Sequence, residues 1–158
     1  MKNVMRSLAA LTVLLLVAAC YELEREAIPV SAGEIIPGQK DSGVVLGRSG
    51  RVTRSGQGND YRFTETFGGR SRQGTFRAVR VQGDLWLVQA RYDGDAFYTA
   101  SFWRLGAGQP QRLEPRGDIV ALATRHGVTR EFDAVRGGPM DIANFLKAHA
   151  GLEMVVAD

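Results

Sequence analysis

Residues 74–105 leave this chain little choice of fold. Residues 75–81 are β-prone, Gln82-Gly83-Asp84 turns, residues 85–92 are β-prone, Asp93-Gly94-Asp95 turns, and residues 97–105 are β-prone again. Strand-forming runs separated by short Gly/Asp turns pair as an antiparallel meander. In the middle run Trp86, Val88, Ala90 and Tyr92 share one face, with Leu85 and Leu87 on the other. One end of that strand is therefore expected to be covered on both sides. Upstream, residues 61–67 alternate, with Tyr61, Phe63 and Phe67 beside Glu65 on one face. That pattern predicts a half-buried strand. Val44-Val45-Leu46 and Arg51-Val52-Thr53 are shorter β-prone pieces.

The last third changes period. Asp118 opens an apolar helical pattern over 119–126 that Gly127 stops, and Asp141 opens another over 142–149 before Gly151. Each has an Asp at the expected cap, a cation and a His in the last turn, and a closing Gly. Each is followed by a β-prone run, at 128–132 and 152–156, so the second unit repeats the first at an offset of 23 residues. The two can be a duplication or two helices obeying the same capping rules. The expected fold class is α+β: an antiparallel β-sheet, with its meander at about 74–105, and two short helices in the C-terminal third packed on one face.

The chain holds one cysteine, Cys20. An intramolecular disulfide and the cysteine-rich zinc sets are therefore excluded, and stability must come from the core. What precedes Cys20 has the make-up of an export signal. Lys2 and Arg6 supply charge, and residues 8–19 are apolar except for Thr12. That run suits the roughly 7–15 residues of a signal-peptide core and falls short of the roughly 20 residues of a spanning helix. Val17-Ala18-Ala19-Cys20 resembles the lipobox of bacterial lipoprotein signal peptides, with Val17 where Leu is commoner. The resemblance covers residues 1–20 only. It implies cleavage between Ala19 and Cys20, a diacylglyceryl thioether on Cys20, and acylation of the new amino group, with palmitate as an expected chain. Each buried methylene contributes roughly 0.8 kcal/mol, so two or three acyl chains hold a protein stably on a bilayer. Tyr21 follows the cysteine where an Asp would signal inner-membrane retention. The same resemblance thus implies the outer membrane, facing the periplasm. The alternatives are a conventional signal that leaves Cys20 free, and a short uncleaved anchor.

On this reading residues 1–19 are the signal peptide, 20–42 the lipidated N-terminus and a tether, and 43–158 a single α+β domain. Glu22, Glu24 and Glu26, followed by Pro29, Gly33, Pro37, Gly38 and Gly43, have the composition of a tether. Ile28, Val30, Ile35 and Ile36 are more apolar than a solvated linker needs, and leave open that its second half docks on the domain.

The formal net charge of +3 falls to +1 once Lys2 and Arg6 leave with the signal. No nucleic-acid partner is implied. Charge is unevenly spread, however. Residues 48–80 carry Arg48, Arg51, Arg54, Arg62, Arg70, Arg72, Arg77 and Arg80 against Asp60 and Glu65. Guanidinium forks match phosphate and carboxylate. Arg70, Arg72, Arg77 and Arg80 are therefore candidates for binding anionic lipid, lipopolysaccharide or peptidoglycan. The plainer alternative is a wet strand face whose arginines pair with acids elsewhere.

Little else carries chemistry. His126 and His149, the two histidines, fall at predicted helix ends, where the dipole favours a cation by roughly 0.3–1 kcal/mol. A hydrolase built on either would need it in a cleft beside a carboxylate. Asp93-Gly94-Asp95 is too short for a calcium loop and reads as a hairpin turn. No Gly-x-Ser-x-Gly elbow, Ser-x-x-Lys pair or phosphate-cradling glycine loop is present. The sequence therefore points to no catalytic residue, metal or cofactor. It leads to a lipid-anchored envelope lipoprotein with a non-catalytic binding or scaffolding domain. Its partners would be the membrane, through the lipid, and an envelope protein or anionic envelope ligand. A small periplasmic hydrolase using His126 or His149 is the remaining alternative.

Overall fold

The structure, a computed structural model, describes residues 20–39, 42–45, 48–56, 58–106 and 108–157. The expected signal peptide, with Ala19 at its cleavage point, lies outside the described residues. The fold is α+β, mostly antiparallel sheet with two short helices near the C-terminus. The strands are β1 (Cys20–Leu23), β2 (Ser42–Val45), β3 (Arg48–Arg54), β4 (Tyr61–Phe67), β5 (Arg70–Gln82), β6 (Leu85–Tyr92), β7 (Tyr98–Arg104), β8 (Gln111–Arg116), β9 (Thr129–Glu131), β10 (Ala134–Arg136) and β11 (Glu153–Val156). The helices are α1 (Ile119–Arg125) and α2 (Pro139–Ala148).

The expected meander forms, with β5, β6 and β7 paired antiparallel in chain order. Its two turns carry Gly83 at φ 54° and Gly94 at φ 88°, values that a side chain resists. Strands β2 to β7 follow one another, and β1, β10 and β9 continue the sheet beyond β7. Among the described residues only the β1–β10 pairing is parallel. The outer edge of β7 is shared: β1 takes Tyr98 to Ser101, and β8 takes Phe102 to Arg104. The sheet forks there, and β8 carries β11 on its far side.

Two cores lie on opposite faces. On one face Tyr21, Leu23, Leu87, Phe102 and Leu113 pack beneath Leu122 of α1 and Phe145 and Leu146 of α2. On the other, Val52, Tyr61, Phe63, Phe76, Trp86 and Trp103 gather with Ile36. β6 lies between them and is buried from Leu85 through Ala90. Leu85 and Leu87 enter the first core, and Trp86, Val88 and Ala90 the second, as the alternation predicts.

The stretch that reads as a tether is built into the fold. β1 sits between β7 and β10, and its Tyr21 and Leu23 are 3% and 0% exposed. Tyr21 and Leu23 alternate with Glu22 and Glu24, a period-2 signal too short to stand alone beside so many acids. Its partners lie far along the chain, out of reach of local patterning. Ile28 and Ile36 are buried as well, so the second half docks too. Polar side chains from the sheet hold it down. Gln89 Oε1 accepts from the N–H groups of Ala27 (2.6 Å) and Ile28 (2.9 Å), and Arg77 Nη1 donates to the Ile28 carbonyl.

The helices need one correction. α1 starts as expected, with Asp118 Oδ1 accepting from the Ala121 N–H at 2.8 Å. α2, by contrast, begins at Pro139 with Gly138 at its N-cap, so Asp141 is a first-turn acid rather than the cap. Proline at the first position gives up an N–H that would be unpaired anyway. The two helix–strand units also enter different branches, β9 pairing with β10 and β11 with β8. That placement gives a duplication no structural support.

Gly74 lies where neighbouring strands press closely on β5. A Cβ there would lie 2.5 Å from the Arg91 carbonyl oxygen and 2.6 Å from the Phe63 ring. The first contact is backbone and the second a buried ring, so neither yields cheaply. Gly74→Ala is expected to cost about 1–3 kcal/mol, the usual range for overpacking, and equilibrium urea unfolding reads it. An unchanged midpoint would mean that the strands can part locally.

Candidate membrane-anchoring site

Cys20 opens β1 opposite Ser101 of β7, at the point where β8 takes over the edge. It is half-buried. On the β10 side the Glu22 N–H donates to the Asp133 carbonyl at 2.7 Å. Burial pushes the Cys20 thiol up from its ordinary pKa, and the hydrogen-bonded, positively charged Arg112 offsets part of that rise. An unmodified Cys20 thiol would therefore stay protonated and be a poor nucleophile. The tertiary structure thus places the residue with the lipobox resemblance inside the sheet, with Arg112 beside its sulfur.

The next residue ties this end to α2. Tyr21 Oη lies 2.7 Å from His149 Nε2, and His149 Nδ1 lies 2.8 Å from the Phe145 carbonyl. A carbonyl only accepts, so Nδ1 carries the proton and Nε2 accepts from the Tyr21 hydroxyl. The imidazole is stacked on Phe102, packed edge-on against Phe145, and 0% exposed. Burial drags its pKa down to about 4, and burial pushes the Tyr21 hydroxyl up to about 12. This overturns the expectation of a cation at a wet helix end for His149. The turn after α2 folds inward, and the cost of burying charge outweighs the helix dipole. Among the described residues His149 hydrogen-bonds Tyr21 and Phe145 rather than a carboxylate, and at 0% exposure it faces no open cleft. A hydrolase centre would require both a carboxylate and a cleft. His126 does sit at the end of α1, half-exposed, as its C-cap.

The four candidate arginines do not share a face. Arg77 is 5% exposed and grips Asp60 through two hydrogen bonds of 2.6 and 2.7 Å. That pairing holds its guanidinium above the ordinary pKa. The alternation of β5 makes Arg77 look wet, opposite Phe76 and Ala78, but residues 26–28 cover that side. Arg72 binds Asp95 at 3.1 Å and stacks 3.8 Å over Tyr92, and Arg80 lies 5.0 Å over Trp86. Arg70 is exposed at the far tip of β5. Arg72 and Arg80 stand eight positions apart on one strand, a separation of about 26 Å. Arg62 spends its fork on Asp93 at 2.7 and 3.0 Å. Both aspartates of the 93–95 hairpin therefore serve as partners for arginines of the basic segment.

Sequence reasoning missed one concavity. A groove of about 380 Å³ runs between α2 and residues 26–32. Ile28, Ala32, Val79, Leu87, Met140 and Ala143 line it, with Glu26, Asn144 and Lys147 adding polar groups. It exists only because the supposed tether docks, so no local pattern announces it. Among the described residues no group of three or more His, Cys, Asp or Glu side chains could hold a metal ion, and no helix is long and apolar enough to cross a membrane. Comparison with protein-family models, with curated proteins and with solved structures finds no match.

Proposed function

We propose that the chain is a lipid-anchored envelope protein, with the lipid on Cys20 and the domain facing the periplasm, preferentially at the outer membrane. The domain acts as a non-catalytic binding or scaffolding module. One observation carries the reading: an apolar run ending in a lipobox-like tetrad leads directly into Cys20. Cys20 is also the chain's one cysteine, and burial, only partly offset by Arg112, favours its protonated thiol, so an unlipidated Cys20 has little chemistry of its own. The groove along α2 supports the binding part, since an apolar floor with a few polar rim groups is the usual make-up of a recognition site.

Cys20→Ala tests the anchor. The native protein is expected to fractionate with membranes and to weigh more than the polypeptide from residue 20 onward, by a diacylglyceryl group and an acyl chain. Cys20→Ala is expected to lose both properties. If the variant stays with membranes and keeps the same mass relation to the native protein, the lipid reading is wrong.

A further inference from the structure

We propose that the end of β1 bearing Cys20, with the β9–β10 turn beside it, docks on the bilayer surface, with the Phe132 side chain inserted among the lipid headgroups. The inference rests on the lipid-anchor reading. β1 starts at Cys20, so no residues separate the lipid from the fold. Whatever lies at this end must then sit close to the membrane.

Strand directions say what lies there. β10 runs parallel to β1, with Glu22 beside Ala134 and Leu23 beside Val135. Carrying that register back two residues puts Phe132 level with Cys20. Phe132 and Asp133 form the two-residue turn between β9 and β10. β11 also ends here, its Val156 opposite Leu113 and the following N–H of Ala157 donating to the Arg112 carbonyl.

Phe132 is 83% exposed, the highest value for a large apolar side chain among the described residues. Val156, at the same end, is 51% exposed. A single exposed apolar side chain is ordinary. Phe132 differs because its φ is 53°, the one positive value on a non-glycine among the described residues. Hairpin turns put Gly or Asn at such positions. A phenylalanine there strains the backbone and adds nothing to the core. Burial in the interface would give that ring a use, since aromatic and aliphatic side chains anchor peripheral proteins there. Nearby charge is not basic, with Arg112 and Arg130 standing against Glu22, Glu131 and Asp133. The contact is therefore apolar and needs no anionic lipid.

The test uses the lipidated full chain in vesicles of zwitterionic phosphatidylcholine. With Cys20 blocked by lipid, Phe132→Cys supplies one reactive thiol for an environment-sensitive fluorophore. Phe97→Cys, exposed just before β7 at the opposite end, is the control. The label at 132 is expected to shift to the blue and be quenched by headgroup-level nitroxide lipids, while the label at 97 stays water-like. Both readings should be unaffected by salt or by added anionic lipid. Water-like emission from 132 in protein of lipidated mass overturns the docking and leaves the anchor standing. Protein lacking the lipid mass overturns the anchor reading and the docking with it. A blue shift that vanishes with salt overturns the apolar contact. Unlabelled Phe132→Asn is expected to melt at a higher temperature with the lipid mass unchanged. A clear drop in melting temperature would mean that the ring supports the fold, and would also overturn the proposal.

Discussion

Arg77→Met is expected to lower the unfolding free energy by about 3–5 kcal/mol, the usual cost of breaking a buried ion pair from one side. Methionine keeps an unbranched apolar stem and lacks the guanidinium, so much of the stem packing is retained while the ion pair and its hydrogen bonds are lost. Asp60, 6% exposed, would keep its carboxylate with no guanidinium to satisfy it. The Ile28 carbonyl would lose its donor too, and with it part of the clamp on residues 26–28. Glu26, held at 3.4 Å, is more exposed and should adapt at small cost. Urea unfolding of the native protein and the variant reads the difference. Adding Asp60→Leu should recover much of the loss, because replacing both partners of a buried pair removes the orphaned charge. A single variant within about 1 kcal/mol of the native protein would show that water reaches Asp60, since a wet pair contributes no more than that.

Stability is expected to fall below neutral pH, with His149 as one cause. Its pKa is about 4 in the fold, against an ordinary 6.5. Between those values the unfolded chain binds a proton that the folded chain refuses. Unfolding free energy therefore rises with pH across that window. The penalty is absent above the unfolded value, grows by about 1.4 kcal/mol per pH unit as the pH falls, and levels off near the folded value. Its full size is about 3 kcal/mol. His149→Gln should be less stable than the native protein near neutrality, because the Tyr21 hydroxyl and the Phe145 carbonyl lose well-placed partners. Its stability should also depend less on pH, so the two curves converge as the pH falls from about 7 to about 5. Parallel curves would mean that His149 protonates without leaving its site.

The same residue shows where sequence reading stops. The spacing of Ile142, Phe145 and Leu146 correctly marks a helix, but that helix ends at Ala148 with His149 as its C-cap, and Gly151 closes the short 3-10 turn that follows. Nothing local says whether the residue closing that helix faces water or Tyr21, which lies 128 positions away. Arg77 repeats the lesson on a strand. Its alternation with Phe76 and Ala78 is real, but alternation separates two faces without telling which is covered. Here both are, because residues 26–28 fold back over the second.

By itself the sequence determined the meander, the strand at 61–67, the two-sided burial of β6 and the two C-terminal helices. Each rests on a local period or a turn residue that acts over a few positions. It also marked Cys20 as the residue of interest, through the apolar run and small residues before it. Tertiary structure alone decided that Cys20 begins a central strand, that Arg77 and His149 are interior, and that Phe132 stands level with Cys20. Each of those depends on pairing between segments far apart in the chain. Strand register and the burial of polar groups are settled by those distant partners, and neither leaves a local signature.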